Sequence, residues 1–126
     1  MIIDSACVKD DGRKNNYGIL LKENSKGWRI GYLIVRERVI RRLESHPDSL
    51  ETFEPVKGRS IIALARQDRS LRPTVFLLDK PVVLKKGIWH DVAAVSRRAE
   101  IKIFENKDVT TEYRDLEDPI EIPRRP

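Results

Sequence analysis

A chain of 126 residues is long enough for one domain and buries roughly two thirds of the surface its unfolded form exposes, so it needs no covalent staple. Its single cysteine, Cys7, excludes an internal disulfide and a cysteine-built zinc knuckle, and fits a reducing, cytoplasmic setting. Lys and Arg number 25 against 20 Asp and Glu, a net charge of +5, but acids are interleaved with the basic residues and aromatics are only 6%, which argues against a base-stacking nucleic-acid surface.

The opening Met1-Ile2-Ile3-Asp4 has no charged leader before a long apolar run, and no stretch approaches the roughly 18 apolar residues a membrane helix needs. The polar string from Asp10 to Asn16 reads as a loop. Tyr17 to Lys22 and Trp28 to Val35 are predicted strands joined by the turn Glu23 to Gly27, a hairpin in which Trp28 and Tyr32 share a face. Arg38 to Glu44 is rich in branched and long side chains and runs into Pro47, which resists both helix continuation and a central-strand position, so a strand ending at His46 is expected.

Ser60 to Ala65 and Pro73 to Asp79 follow as strands, the latter apolar on both faces and therefore expected to be buried on both sides. Pro81 to Leu84 is a short strand, and the turn Lys85-Lys86-Gly87 delivers Trp89 and His90. Asp91 to Ser96 and Ala99 to Phe104 are expected to pair with each other around Arg97-Arg98. No convincing amphipathic helix of ten or more residues is present, and the many short strands with turn signals predict an all-β sandwich or barrel. Residues 1–114 are read as that barrel and 115–126, with three prolines, as an extended tail.

The chain has only two histidines, His46 and His90, and both fall next to candidate chemistry. In a strand, residues two apart share a face, so Glu44 and His46 project to one side. Asp48-Ser49 reads as a turn that returns Glu51 toward the same side. Imidazole and carboxylate converging on a point make a site suited to zinc, manganese, iron or nickel. The alternative is a solvated charge lattice in which His46 merely caps a turn. No GxGxxG, Walker loop, GxSxG or HExxH motif is present.

The pattern Glu44-x-His46-x4-Glu51-x6-Gly58 resembles the first cupin motif, with Glu44 where that motif has a histidine. Gly87-x2-His90 resembles the core of the second, with Lys85 at its proline and Ala94 at its asparagine. Among cupins the chain is most similar to the ureidoglycolate lyase family, through His46-Pro47, Ser49, Phe53, Pro55, Gly58 and Trp89-His90. The resemblance implies a cupin-like jelly-roll β-barrel with Glu44, His46, Glu51 and His90 around a divalent metal, or a metal-free site using His46, Glu51 and His90 as acid and base. It implies cleavage of ureidoglycolate to glyoxylate and urea. Arg42 shares the face of Glu44 and is the candidate clamp for a substrate carboxylate, or else the partner of a nearby glutamate. Lys85 and Trp89 are further candidates for substrate contact. The alternative in another class is a non-catalytic module holding a small anion or sugar. A homodimer is expected, because exposed edge strands need covering.

Overall fold

The computed structural model describes residues 10–22, 27–67 and 70–123. Cys7 with the opening segment, most of the first hairpin turn, part of the 66–72 loop and the last three residues lie outside them. Among the described residues there is no helix, and so none long and apolar enough to cross a membrane. Ten strands follow in order: β1 Asn15–Lys22, β2 Trp28–Val35, β3 Val39–Ser45, β4 Glu51–Lys57, β5 Ser60–Ala65, β6 Thr74–Leu77, β7 Val82–Leu84, β8 Trp89–Ala94, β9 Ala99–Asn106 and β10 Glu112–Glu121.

They form two five-stranded antiparallel sheets, β1-β2-β9-β4-β7 and β10-β3-β8-β5-β6, packed as a jelly roll. The expected first hairpin is β1 and β2, paired from Asn15–Val35 to Lys22–Arg29 with a one-residue register shift between Ile19 and Leu21. The expected pairing of the two strands around Arg97-Arg98 is not found: β8 pairs with β3 and β5, and β9 with β2 and β4. The turn at Ser96 to Arg98 carries the chain from one sheet to the other, which local pattern cannot distinguish from a hairpin.

Two apolar clusters hold the layers. The inter-sheet core is built from Val35, Phe53, Ile62, Leu84, Val92, Ile101 and their neighbours. Ile40, Leu43, Ile61, Ala63, Trp89 and Ala93 form a second cluster. Because Ile61 and Ile62, or Val92 and Ala93, alternate between clusters, the second cluster lies on the opposite face of the second sheet. Leu71, Leu116, Ile120 and Ile122 pack against it. That cover explains why β5 is apolar at consecutive positions: a strand buried on both faces cannot alternate.

Within the described part of the segment beyond residue 114, the chain continues β10 through Glu121 as the edge strand of the second sheet. Asp115 pairs with Arg42 and Ile120 with Ile40, with an irregularity between them. Pro119 falls in that irregularity, where its missing N–H costs no ladder bond. Conversely β6 is exposed at all four positions, with Phe76 half exposed and only the following Leu78 buried, because it is the other edge of the sheet.

Between β4 and β5, Gly58 turns the chain with a φ of 72°, and an added Cβ would strike the Arg98 carbonyl oxygen. A Gly-to-Ala exchange at a compatible position stabilises by about 0.4–1 kcal/mol, whereas Gly58→Ala, at a positive φ and against a carbonyl, is expected to destabilise by more than about 1 kcal/mol, read as a lower urea midpoint. Ile101→Ala, at a fully buried core position, is expected to cost about 2–5 kcal/mol in the same assay.

Candidate metal centre

Four strands deliver charged side chains to one end of the barrel. Glu44 on β3 stands opposite His90 on β8 in the ladder, and Glu51 at the start of β4 stands opposite Glu105 near the end of β9. His46 lies just past β3, where Pro47 ends the strand. Its carbonyl accepts from the N–H of Gly87 at 3.0 Å and of Ser49 at 3.4 Å, which ties the Pro47 turn to the turn before β8. Asn106 N–H donates to Ser49 Oγ at 3.0 Å, and Thr110 N–H donates to Asp48 Oδ1 at 3.2 Å, so the approach to β10 clasps the same turn.

Hydrogen bonds fix both imidazoles. His46 Nδ1 lies 3.2 Å from the Thr110 carbonyl oxygen, and His90 Nδ1 lies 3.0 Å from the Ile88 carbonyl oxygen. A carbonyl only accepts, so each Nδ1 carries a proton and each Nε2 is the ring nitrogen that faces the carboxylates. From His46 Nε2 the distances are 3.5 Å to Glu51 Oε1, 3.7 Å to Glu44 Oε1 and 3.8 Å to Glu105 Oε2. His90 Nε2 lies 2.9 Å from Glu51 Oε1 and 3.5 Å from Glu44 Oε1.

The 2.9 Å contact is not aligned as a hydrogen bond, and His90 Nε2, Glu51 Oε1 and Glu105 Oε2 are all buried without a hydrogen-bond partner. Burying such atoms is costly unless something meets them. Two donor groups share His46: Glu44–His46–His90, and His46–Glu51–Glu105, each with ligand atoms within 4.8 Å of one another. Imidazole nitrogens with fixed tautomers beside unpaired carboxylate oxygens fit a divalent transition metal.

The cluster's charge is visible in its titration. Burial opposes a charge on His90, but Glu44 and Glu51 outweigh it and hold the imidazolium up to about 10. Burial likewise raises Glu44, but His90, His46 and Arg42 overcome it and leave this carboxyl below its ordinary value. Burial and the adjacent Glu51 push Glu105 up to about 7 against the pull of Arg29, and burial pushes Asp91 up to about 6.

A cavity of about 400 Å³ opens over the cluster, lined by Glu44, His46, Glu51 and His90 together with Arg42, which shares their side as expected. The Arg42 guanidinium lies 4.2 Å over the Tyr113 ring. Two residues expected at the substrate lie elsewhere. Trp89 precedes His90 on β8 and so points to the opposite face, where it is 3% exposed in the second apolar cluster. Lys85 is exposed and lines a separate groove beside Phe76 and Val83.

Asn15, Tyr17, Asp91, Glu105 and Tyr113 also line the cavity and were not singled out from sequence. Glu105 had a signal: it continues the inward row Ala99, Ile101, Ile103, and a carboxylate ending an apolar row needs a partner. A larger cavity, about 1030 Å³, lies at the other end of the barrel among Arg36, Arg38, Arg59 and Arg97, and holds neither histidine.

Comparison with solved structures places this architecture. The cupin domain of Cnp3 from Schizosaccharomyces pombe superposes with a TM-score of 0.59 at 10% identity, covering 82% of this chain and 70% of that one. The fold is the cupin jelly roll. An oxalate oxidase in complex with glycolate gives a TM-score of 0.67 at 12% identity over 86% of this chain, and the capsular polysaccharide assembling protein CapF from Staphylococcus aureus gives 0.71 at 12% over 90%. The chain spans 59% of the oxidase and 33% of CapF. No family model and no curated protein matches the sequence.

The raised His90 value predicts two pH effects. In metal-free protein the protonated His90 contributes stability that is complete below the ordinary imidazole value of 6.5 and is lost as pH rises through about 10. Urea midpoints of chelator-treated protein should therefore fall over that window, and His90→Gln should flatten the fall. Metal uptake at neutral pH should eject this proton, which calorimetry in two buffers of different ionisation enthalpy will count.

Proposed function

We propose that this chain is a metal-dependent lyase of the cupin fold that acts on a small α-hydroxy carboxylate, with ureidoglycolate as substrate and glyoxylate and urea as products. The observation that carries the metal reading is the set of buried, unpaired atoms, His90 Nε2, Glu51 Oε1 and Glu105 Oε2, around His46 Nε2. The substrate assignment is supported by the similarity of the His46-Pro47, Phe53-x-Pro55 and Trp89-His90 pattern to ureidoglycolate lyases. It is also supported by the cavity's size, and by a fold neighbour whose structure holds glycolate, itself a small hydroxy acid.

Glu44, His46, Glu51 and His90 would hold the ion, which when bound supplies Lewis acidity toward a substrate hydroxyl. Arg42, steadied on Tyr113 at the cavity wall, receives the substrate carboxylate as a two-pronged donor. Asp91 is the lining carboxylate outside both donor groups, and so is the one left free to accept a proton and return it when the ion is held. It takes the hydroxyl proton; the carbon–oxygen double bond forms as the carbon–nitrogen bond breaks; the proton passes to the departing urea nitrogen.

Elemental analysis beside a urea-release assay tests this reading. About one metal per chain, lost with urea release in the His46→Ala/His90→Ala variant, is the expected result. Metal without urea release would leave a non-catalytic module that holds a small anion. Arg42→Met should raise KM for ureidoglycolate about 10- to 100-fold, the worth of a lost charged hydrogen bond, with metal content unchanged.

A further inference from the structure

The Arg29–Glu105 pair has a geometry that an ordinary ion pair does not need. Arg29 on β2 faces Glu105 across the β2–β9 ladder. Both of its contacts, from Nε at 3.0 Å and Nη2 at 2.7 Å, go to the single oxygen Oε1. A guanidinium–carboxylate fork normally spends one donor on each oxygen. Here Oε2 is left over, in a residue only 4% exposed, without a hydrogen bond and 3.8 Å from His46 Nε2.

We propose that Glu105 is a fifth metal ligand, presented through Oε2 by Arg29, so that the centre is a cage of two imidazoles and three carboxylates rather than the four-residue set. This rests on the metal reading above and deepens it. The two donor groups share His46, whose one free ring nitrogen serves one ion, so they are two halves of one coordination set rather than two sites. Charge supports the merger. A divalent cation is balanced by Glu44 and Glu51, and the third carboxylate is balanced by Arg29, so the occupied cage is neutral where a bare third carboxylate would leave a buried excess. An additional oxygen donor also moves the preference toward harder ions, Mn²⁺ before soft thiophilic ones.

Arg29 is thus a positioning residue: it holds Glu105 by the far oxygen and aims the near one. It also withdraws one coordination position from water or substrate. That consequence is measurable without any activity assay.

The experiment is Mn²⁺ titration of full-length wild type, Glu105→Gln and Arg29→Gln, read by electron paramagnetic resonance for free ion and by water-proton relaxation for waters on the bound ion. Thermal unfolding of each metal-free protein reports on folding. Glu105→Gln is expected to weaken Mn²⁺ about 10- to 100-fold and to gain one bound water, and Arg29→Gln to weaken it less and without the full gain in relaxation. Unchanged affinity and relaxation in a folded Glu105→Gln would overturn the fifth ligand while leaving the four-residue centre standing. Absence of Mn²⁺ binding in the wild type, with Zn²⁺ and Fe²⁺ also failing, would remove both.

Discussion

Glu44 and His90 meet as the paired residues of the ladder between β3 and β8. That register joins the two halves of the chain that carry histidine, and a slip of one residue would turn His90 into the apolar cluster and Trp89 into the cavity. The outer apolar cluster, with Leu43 fully buried and Trp89 nearly so, resists such a slip because it would have to accept an imidazole in place of an indole. The packing on the far side of the second sheet therefore sets the chemistry on the near side.

Desolvation is the second constraint. Glu51 and Glu105 are each 4% exposed and stand opposite one another, an arrangement that two bare carboxylates do not sustain. The protein meets the cost with cations, Arg29 on Glu105 and an imidazolium at His90, whose place a divalent ion at the shared donors would take. A proton and a metal would compete for the same negative charge, so the centre would trade one for the other rather than fill a neutral hole.

Much of this was legible in the residues. Pro47 as a strand stop, the two-residue spacing of Glu44 and His46, and the turn at Asp48-Ser49 were enough to bring Glu51 back to the same side. Short strands separated by turn residues were enough for an all-β fold. What was not legible depended on which sheet a strand joins. The Ser96–Arg98 turn looks like a hairpin but crosses between sheets; β6 looks like a core strand but is an edge; and Trp89 looks like a site aromatic because it adjoins His90 in sequence, although strand alternation sends it the other way. Glu105 escaped because its partners, Arg29 and Glu51, become neighbours only through β9's position between β2 and β4.

The clasp of Thr110 and Thr111 on His46 carries one more consequence. The donors lie far apart along the chain, and His46 is oriented by the connection into the last strand, so the complete cage exists only after the most distant pairings have formed. Closing such long loops is the slow part of folding an all-β chain. An ion that recognises the finished cage binds the native state and not its precursors, and by mass action draws the population toward it. Occupancy would then double as a record of completed folding: a chain that had taken up a metal would already have laid its C-terminal strand along the edge of the sheet.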